Sequence, residues 1–379
     1  PIRCLHVGKY FPPHPGGMEN YLRDLLDALG ARGVKTAALV HDDGAAESAP
    51  GADRSVAKAR VWFTVAFAAI APAFPRLLGR LIASERPDLL HLHVPNLSAF
   101  WALLSPRARR LPWVVHWHAD VPLSEHKWQL RLLYRFYRPF EQWLLRRARL
   151  VIVTSPPYLD SSPALAPWLE KCRVIPLGIR PLQERHASGD SAAGNDTARL
   201  KMLAVGRLSY YKGFDLLLRA VAATPGVTLD LLGDGEERSR LAALVRALRA
   251  ESRITLHGQV TDEERLSRLA ACDCLCLPSI ERSEAFGLVL LEAMAAGKAC
   301  VATAVPGSGM AWVVEHEKTG LVVPPGDPEA LAGALRFLAE DPEERRAMGA
   351  AGRTRFQAHF HIDRSADQVL AAYRELLAP

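Results

Sequence analysis

Short apolar runs alternate with helical patterns along almost the whole chain, and the alternation breaks once. In the first half the runs are Ile2–Val7, Thr36–Val40, Leu89–His93, Trp113–His118 and Val151–Thr154. In the second they are Met202–Val205, Thr228–Leu232, Ile254–His257, Cys274–Leu277 and Ala299–Ala302. Between them lie segments such as Glu19–Arg32, where Leu22, Leu25, Leu26 and Leu29 keep the spacing of one buried helical face. Strand and helix in strict alternation specify an α/β architecture, parallel sheets with helices on both faces. The break runs from Arg180 to Arg199 and contains HASGDSAAGNDTA, polar and rich in small residues, which reads as a linker. The expected organisation is a Rossmann-like domain over 1–180, a linker over 181–199 and a second Rossmann-like domain over 200–361. A C-terminal helix at about 362–379 is expected to pack back onto the first domain. With 379 residues the chain is long enough for two cores. The two sheets are expected to face each other across a cleft, because open α/β sheets bind ligands beyond the carboxyl ends of their strands.

Composition and charge narrow the class. Hydrophobic residues make up 49% and charged residues 23%, so a disordered or fibrous chain is not expected. No apolar run reaches the roughly eighteen residues of a spanning helix; Val61–Phe74 comes nearest and contains Pro72. The opening run reads as a first strand and not as a signal peptide. Cys272, Cys274 and Cys276 alternate along one strand, a spacing wrong for a CxxC zinc site. They are expected to be small buried hydrophobes in a reducing compartment. Residues 1–180 carry 24 Lys+Arg against 14 Asp+Glu, whereas the remainder carries 23 against 27. That asymmetry points to an anionic surface or partner for the first half.

Four segments carry chemistry. In PPHPGGME, Pro12 to Glu19, two glycines precede a helix and allow backbone N–H groups to approach a phosphate. The same segment is also compatible with an ordinary turn whose Glu19 favours the helix dipole, and it is not a GxGxxG fingerprint. In VGRLSYYKGFDLLL, Val205 to Leu218, Arg207 and Lys212 leave the end of a strand on one loop, a pair suited to gripping a diphosphate. In SEAFGLVLLEAMAAGKACVAT, Ser283 to Thr303, Glu284 lies at the mouth of a helix and Glu292 eight residues on. Two carboxylates so placed suit a sugar and a ribose, with a diphosphate at the helix N-terminus between them. A Glu inside LVLLEAMAAG also needs a partner if it is buried. In VVHWHAD, Val114 to Asp120, His116 and His118 share one strand face. At the end of a strand they could serve as metal ligands or a proton relay, and core histidines are the plainer alternative.

Taken together, GGxE, GRL…KG, LLGDGEE at Leu231 to Glu237, the run LHGQVTDEERLSRLAACDCLCLPS at Leu256 to Ser279 and the E-x7-E pair resemble the family 4 retaining glycosyltransferases. The resemblance spans nearly the whole chain and implies a GT-B fold. It implies that Gly16 and Gly17 serve the donor phosphates and that Arg207 and Lys212 neutralise the diphosphate. Glu284 would contact the hydroxyls of the transferred sugar and Glu292 the nucleotide ribose, with Phe286, Gly287 and Leu288 forming the loop and helix start between them. His118 would stand near the transferred sugar, whereas His116 occupies a position where the family often has Thr or Ser. The implied catalytic set is His118, Arg207, Lys212 and Glu284, with no metal and no cofactor besides the nucleotide-sugar substrate. No carboxylate stands out as a glycosidase-like nucleophile, so a front-face substitution is expected.

One further stretch bears on the acceptor. His126 to Leu150, HKWQLRLLYRFYRPFEQWLLRRARL, holds seven Lys/Arg and one acid, interleaved with six aromatic residues. Lys127, Arg131, Arg135 and Arg138 would suit an anionic membrane. An amphipathic core helix with a solvated basic face is the plainer reading, and nucleic acid is the weakest. HADV, this helix and VIVTSPPYLDSSPAL resemble bacterial transferases of O-antigen and exopolysaccharide assembly, which implies a GDP-mannose-like donor and a lipid-linked acceptor at the inner face of the cytoplasmic membrane. A UDP-sugar donor fits equally well by residue type. A sugar-nucleotide epimerase and a non-catalytic nucleotide-sugar-binding protein are the alternatives on the same scaffold.

Overall fold

A computed structural model describes residues 1–14, 16–42, 44, 54–65, 68–121, 128–181 and 200–378. The chain divides into two compact units, residues 1–178 with 362–379, and residues 179–361. The linker expected at 181–199 lies outside the described residues beyond Pro181, as does Lys127, and the side chain of Arg131 is likewise outside them.

The first unit is built on a seven-stranded sheet in the order β3-β2-β1-β6-β7-β8-β9, parallel throughout. Its strands are β1 (Arg3–Val7), β2 (Lys35–Asp42), β3 (Arg54–Arg60), β6 (Leu89–Val94), β7 (Trp113–Trp117), β8 (Leu150–Val153) and β9 (Cys172–Val174). A separate antiparallel hairpin joins β4 (Phe63–Val65) to β5 (Ala68–Ile70). The helix Gly17–Gly30 follows β1 and buries Leu22, Leu25, Leu26 and Leu29, the face its leucine spacing specifies. The helix Ile362–Leu377 belongs to this unit: Tyr373 meets Cys4, and Arg32 bonds Asp363 and Asp367.

The second unit carries six parallel strands in the order β12-β11-β10-β13-β14-β15. These are β10 (Leu200–Val205), β11 (Val227–Leu232), β12 (Ile254–Gly258), β13 (Cys274–Leu277), β14 (Ala299–Thr303) and β15 (Gly320–Val323). Cys274 and Cys276 sit in its core with Ala204, Val301 and Leu335, and all six cysteines are free.

All ten strands expected from the sequence are present; β3, β9, β15 and the hairpin are additional. In each sheet the chain steps outward from the first strand and then crosses to its other side. The crossings fall between β1 and β6, and between β10 and β13. Loops leaving the two strands at such a switch point diverge and leave a crevice for a ligand.

Candidate active site

The second unit's switch point is flanked by the loop after β10, which holds Arg207 and Lys212, and the loop after β13, which holds Glu284. The structure brings two of these three together: Lys212 Nζ donates to Glu284 Oε2. The two side chains are only 11% and 14% exposed, so the pair is mostly withdrawn from water. Burial works against the Lys212 charge, but the Glu284 carboxylate and Tyr211 outweigh it and raise its pKa above the usual lysine value. Lys212 also lies over Gly206, where an added Cβ would meet its Cε and Nζ at 3.4 Å.

Gly213 makes this meeting possible. Its φ is +63°, in the left-handed region, and an added Cβ would stand 2.3 Å from the Pro278 carbonyl oxygen. The β10 loop therefore presses directly against the end of β13, and only glycine fits. Ser308 Oγ donates to the Glu284 carbonyl and Gly309 N–H to that of Ala285, which pins the second loop.

The other expected donor residues are placed differently. Arg207 is 60% exposed and pairs with Glu236 on the loop after β11 at 3.3 Å. Gly287, with φ +82°, caps the helix Leu288–Ala295, and Leu288 is its first residue. Phe286 is buried and packs toward Trp312 and Phe360, with ring centroids 6.3 and 6.1 Å away. Glu292 is half-buried and accepts from Arg265 Nη2 at 2.6 Å. Arg265, on the helix Asp262–Ala271, is the partner that the apolar surroundings of Glu292 called for, but no sequence signal singled it out.

In the first unit, Gly16 caps the helix Gly17–Gly30, leaving the Gly17 N–H among those with no partner inside the helix. The Glu19 carboxylate folds back against Gly16, where an added Cβ would meet Oε2 at 2.1 Å, and burial raises its pKa. Gly8, Lys9, Glu19 and His93 line a small pocket at the switch point between β1 and β6. His118 follows β7 and its ring turns into the unit: Nε2 meets His93 Nδ1 at 2.9 Å. His116 meets His91, at 3.2 Å. Among the described residues, Cys4–His6–His91 and His91–His93–His116 are the buried groups whose donor atoms come close enough to consider for a metal, within 4.8 Å. The rings of the second group already bond one another or their neighbours in line.

The basic helix spans Trp128–Arg147 and continues through Pro139. Leu132, Leu133, Phe136, Phe140 and Trp143 are exposed along with Arg135 and Arg138, so the stretch from Leu132 to Phe140 is not packed as a core helix. Glu141 is the buried acid of this helix; it accepts from Tyr134, and burial raises its pKa to about 7.

Two α/β units, each on a parallel sheet with a strand-order switch, are the layout of the GT-B fold. The fold matches sucrose-phosphate synthase from Thermosynechococcus elongatus with a TM-score of 0.80 and 25% identity over 99% of both chains. It also matches Anabaena HepE in complex with UDP, with a TM-score of 0.74 and 22% identity over 99% of this chain and all of that one. In sequence, residues 16–178 match the glycosyl transferase 4-like domain and residues 190–355 the glycosyl transferases group 1 model. The D-rhamnosyltransferase WbpZ of Pseudomonas aeruginosa is 28% identical over 95% of this chain and 92% of its own. The O-antigen chain mannosyltransferase C of Escherichia coli is 29% identical over 99% of each. The chain belongs to the group 1 glycosyltransferases, GT-B enzymes that transfer a sugar from a nucleotide sugar.

Proposed function

We propose that this enzyme moves a hexose, with retention, from a GDP-mannose-like donor to a lipid-linked glycan at an anionic membrane surface. The observation that carries the donor site is the Lys212–Glu284 pair at a switch point, with Arg207 on the same loop. Lys212 and Arg207 hold the diphosphate, Glu284 the sugar hydroxyls and Glu292 the ribose. In the transfer, the bond from the sugar's anomeric carbon to the phosphate oxygen breaks and its electron pair stays with the phosphate. The acceptor oxygen bonds the same face of that carbon, and its proton passes to the departing phosphate oxygen. The two cations stabilise the charge that develops there, and no protein nucleophile is required.

Relatives named as a mannosyl- and a rhamnosyltransferase support the transferred hexose, and HepE in complex with UDP makes UDP-sugars the competing donors. A thermal-shift panel of GDP-, UDP- and dTDP-sugars tests this, since a ligand of the folded state raises apparent stability by mass action. The largest shift is expected with GDP-mannose; a larger one with a UDP-sugar overturns the donor assignment.

Support for the membrane comes from one run of exposed apolar residues in the first unit. It includes Trp62, Phe63 and Val65 of the β4–β5 hairpin, then Leu97, Trp101 and Leu104. β5 packs on the turn Leu97–Phe100, and Phe100 in turn stacks on Phe140 and meets Tyr137 at a tilt, both on the basic helix. Exposed aromatics beside Arg135 and Arg138 suit a bilayer interface with anionic headgroups. The chain is expected to float with anionic liposomes and to remain largely unbound with neutral ones. Replacing Arg135 and Arg138 with Glu is expected to weaken binding at least tenfold, at about 1 kcal/mol for each basic residue near the surface. Equal recovery on both lipids contradicts the membrane reading.

A further inference from the structure

Five buried histidines form a feature that the transfer steps above leave unused. His6 lies on β1, His91 and His93 on β6, His116 on β7 and His118 directly after it, none more than 5% exposed. Because β1, β6 and β7 are neighbours, His6 stands opposite His91 and His93 opposite His116.

Three ring-to-ring hydrogen bonds cross the strands. His6 Nδ1 meets His93 Nε2 at 3.1 Å, His93 Nδ1 meets His118 Nε2 at 2.9 Å, and His91 Nε2 meets His116 Nδ1 at 3.2 Å. The corresponding ring centroids are 5.4, 5.2 and 5.3 Å apart, with interplanar angles of 28°, 19° and 13°. In each pair the centroid separation exceeds the N···N distance by about one ring width, so these rings meet edge to edge and in line. Neighbours along one strand stack face to face instead: His91 on His93 at 4.6 Å and His116 on His118 at 4.4 Å. The result is two hydrogen-bonded rows, one stacked on the other: His6–His93–His118, and His91–His116 with Tyr373 at its near end.

A neutral imidazole has one N–H and one lone pair. His93 uses both nitrogens, so it donates to one neighbour and accepts from the other, and its choice sets theirs. If His118 Nε2 donates to His93, then His93 donates to His6 and His118 Nδ1 keeps its lone pair. The reverse order puts a proton on His118 Nδ1. The two outer nitrogens of this row, His118 Nδ1 and His6 Nε2, are buried with no hydrogen-bond partner.

The tyrosines and the cysteine packed around the rows keep their own protons near neutrality. Tyr21 sets its ring edge on His116 and His118 and shares a hydrogen bond with Ser365 Oγ. Tyr373 contacts His91 and accepts from Cys4 Sγ at 3.4 Å. Burial raises both tyrosines and pushes the Cys4 thiol up to about 12, while it lowers every ring of the rows. Glu19 and Lys9 face the pocket that His93 lines.

We propose that His93 and His6 are positioning residues for sugar transfer: their row fixes the orientation and tautomer of His118, and so decides whether Nδ1 offers a lone pair or an N–H. This rests on the reading of His118 as a residue of the transfer site. The test labels the full-length protein with 15N-histidine and follows the ring nitrogen shifts alongside steady-state kinetics. In the unaltered enzyme His118 is expected to show one tautomer, unchanged with pH across the neutral range. In His93→Leu its ring shifts move toward a mixture of tautomers, and kcat falls at least about tenfold while the donor KM stays within about twofold. His93→Gln, whose amide accepts on one side and donates on the other, restores one tautomer and most of kcat; it also serves if the Leu variant does not fold. Unchanged His118 shifts in His93→Leu overturn the row as a positioning device. Moved shifts with unchanged kcat leave the row standing but remove His118 from the reaction, and His93 with it.

Discussion

Replacing Lys212 with alanine is expected to lower kcat/KM for sugar transfer by roughly two to four orders of magnitude, about 3–5 kcal/mol of transition-state stabilisation. The size follows from burial. The Lys212 side chain is 11% exposed, and its charge is held by Glu284 and not by water. A fixed cation in such a site interacts strongly with charge that develops on a departing phosphate and need not reorganise as it does. Because that charge is greatest in the transition state, kcat should fall more than KM rises. Removing Lys212 also strands the mostly buried Glu284 carboxylate, at a cost of about 1–3 kcal/mol in stability. Lys212→Ala combined with Glu284→Gln separates the two effects. The double variant should recover its melting temperature and remain inactive. Steady-state turnover with thermal melts on the same preparations provides the check.

The second large effect is acid sensitivity. Burial holds the pKa of His6, His91, His93, His116 and His118 below the ordinary histidine value, to about 3 for His6 and His118. In the unfolded chain each titrates near 6.5. Above that pH neither state binds the protons and the stability is fully present. Below it the unfolded chain takes up protons that the folded chain refuses, so stability falls toward the folded pKa values. Each ring contributes a slope of up to about 1.4 kcal/mol per pH unit. For His6 and His118, whose folded values lie near 3, that is about 2 kcal/mol each by pH 5, and His91, His93 and His116 act in the same direction. Glu19 and Glu141 act in the opposite sense, because their raised folded pKa values relieve a cost on acidification. Two carboxyls only partly offset five imidazoles. Urea unfolding of the first unit should show a midpoint that is flat above pH 7 and drops steeply between 6.5 and 5. A flat midpoint down to pH 5 contradicts the array as neutral and buried.

What the sequence shows and what it hides follow from the range of the interactions. Strands such as Leu150–Val153 and Cys274–Leu277 are continuous apolar runs, the pattern of a strand buried on both faces, and they are plain in the sequence. RSVAKAR of β3 carries charge at an edge, GLVV of β15 opens on a glycine and CRV of β9 has only three residues, so none has enough pattern to stand out. The loops bearing Lys212 and Glu284 are legible because Gly213 and Gly287 mark turns next to strand ends. That the two side chains meet depends on β10 and β13 being neighbours, and hydrophobic periodicity does not encode strand order. The histidine rows are hidden for the same reason: His116 and His118 visibly share a face, but their meeting with His6 and His93 needs the order β1-β6-β7. The pairing of Arg207 with Glu236, and of Glu292 with Arg265, spans 27 to 29 residues and leaves no local trace.

The central claim is sugar transfer with retention from a nucleotide sugar, and product analysis by NMR tests it most directly. The enzyme is incubated with GDP-mannose, and in parallel with UDP-sugars, with and without a lipid-linked glycan acceptor. The account predicts donor consumption that depends on the acceptor, and a new glycosidic bond with the anomeric configuration of the donor. Donor converted to another sugar nucleotide without acceptor, or bound and never consumed, would contradict it.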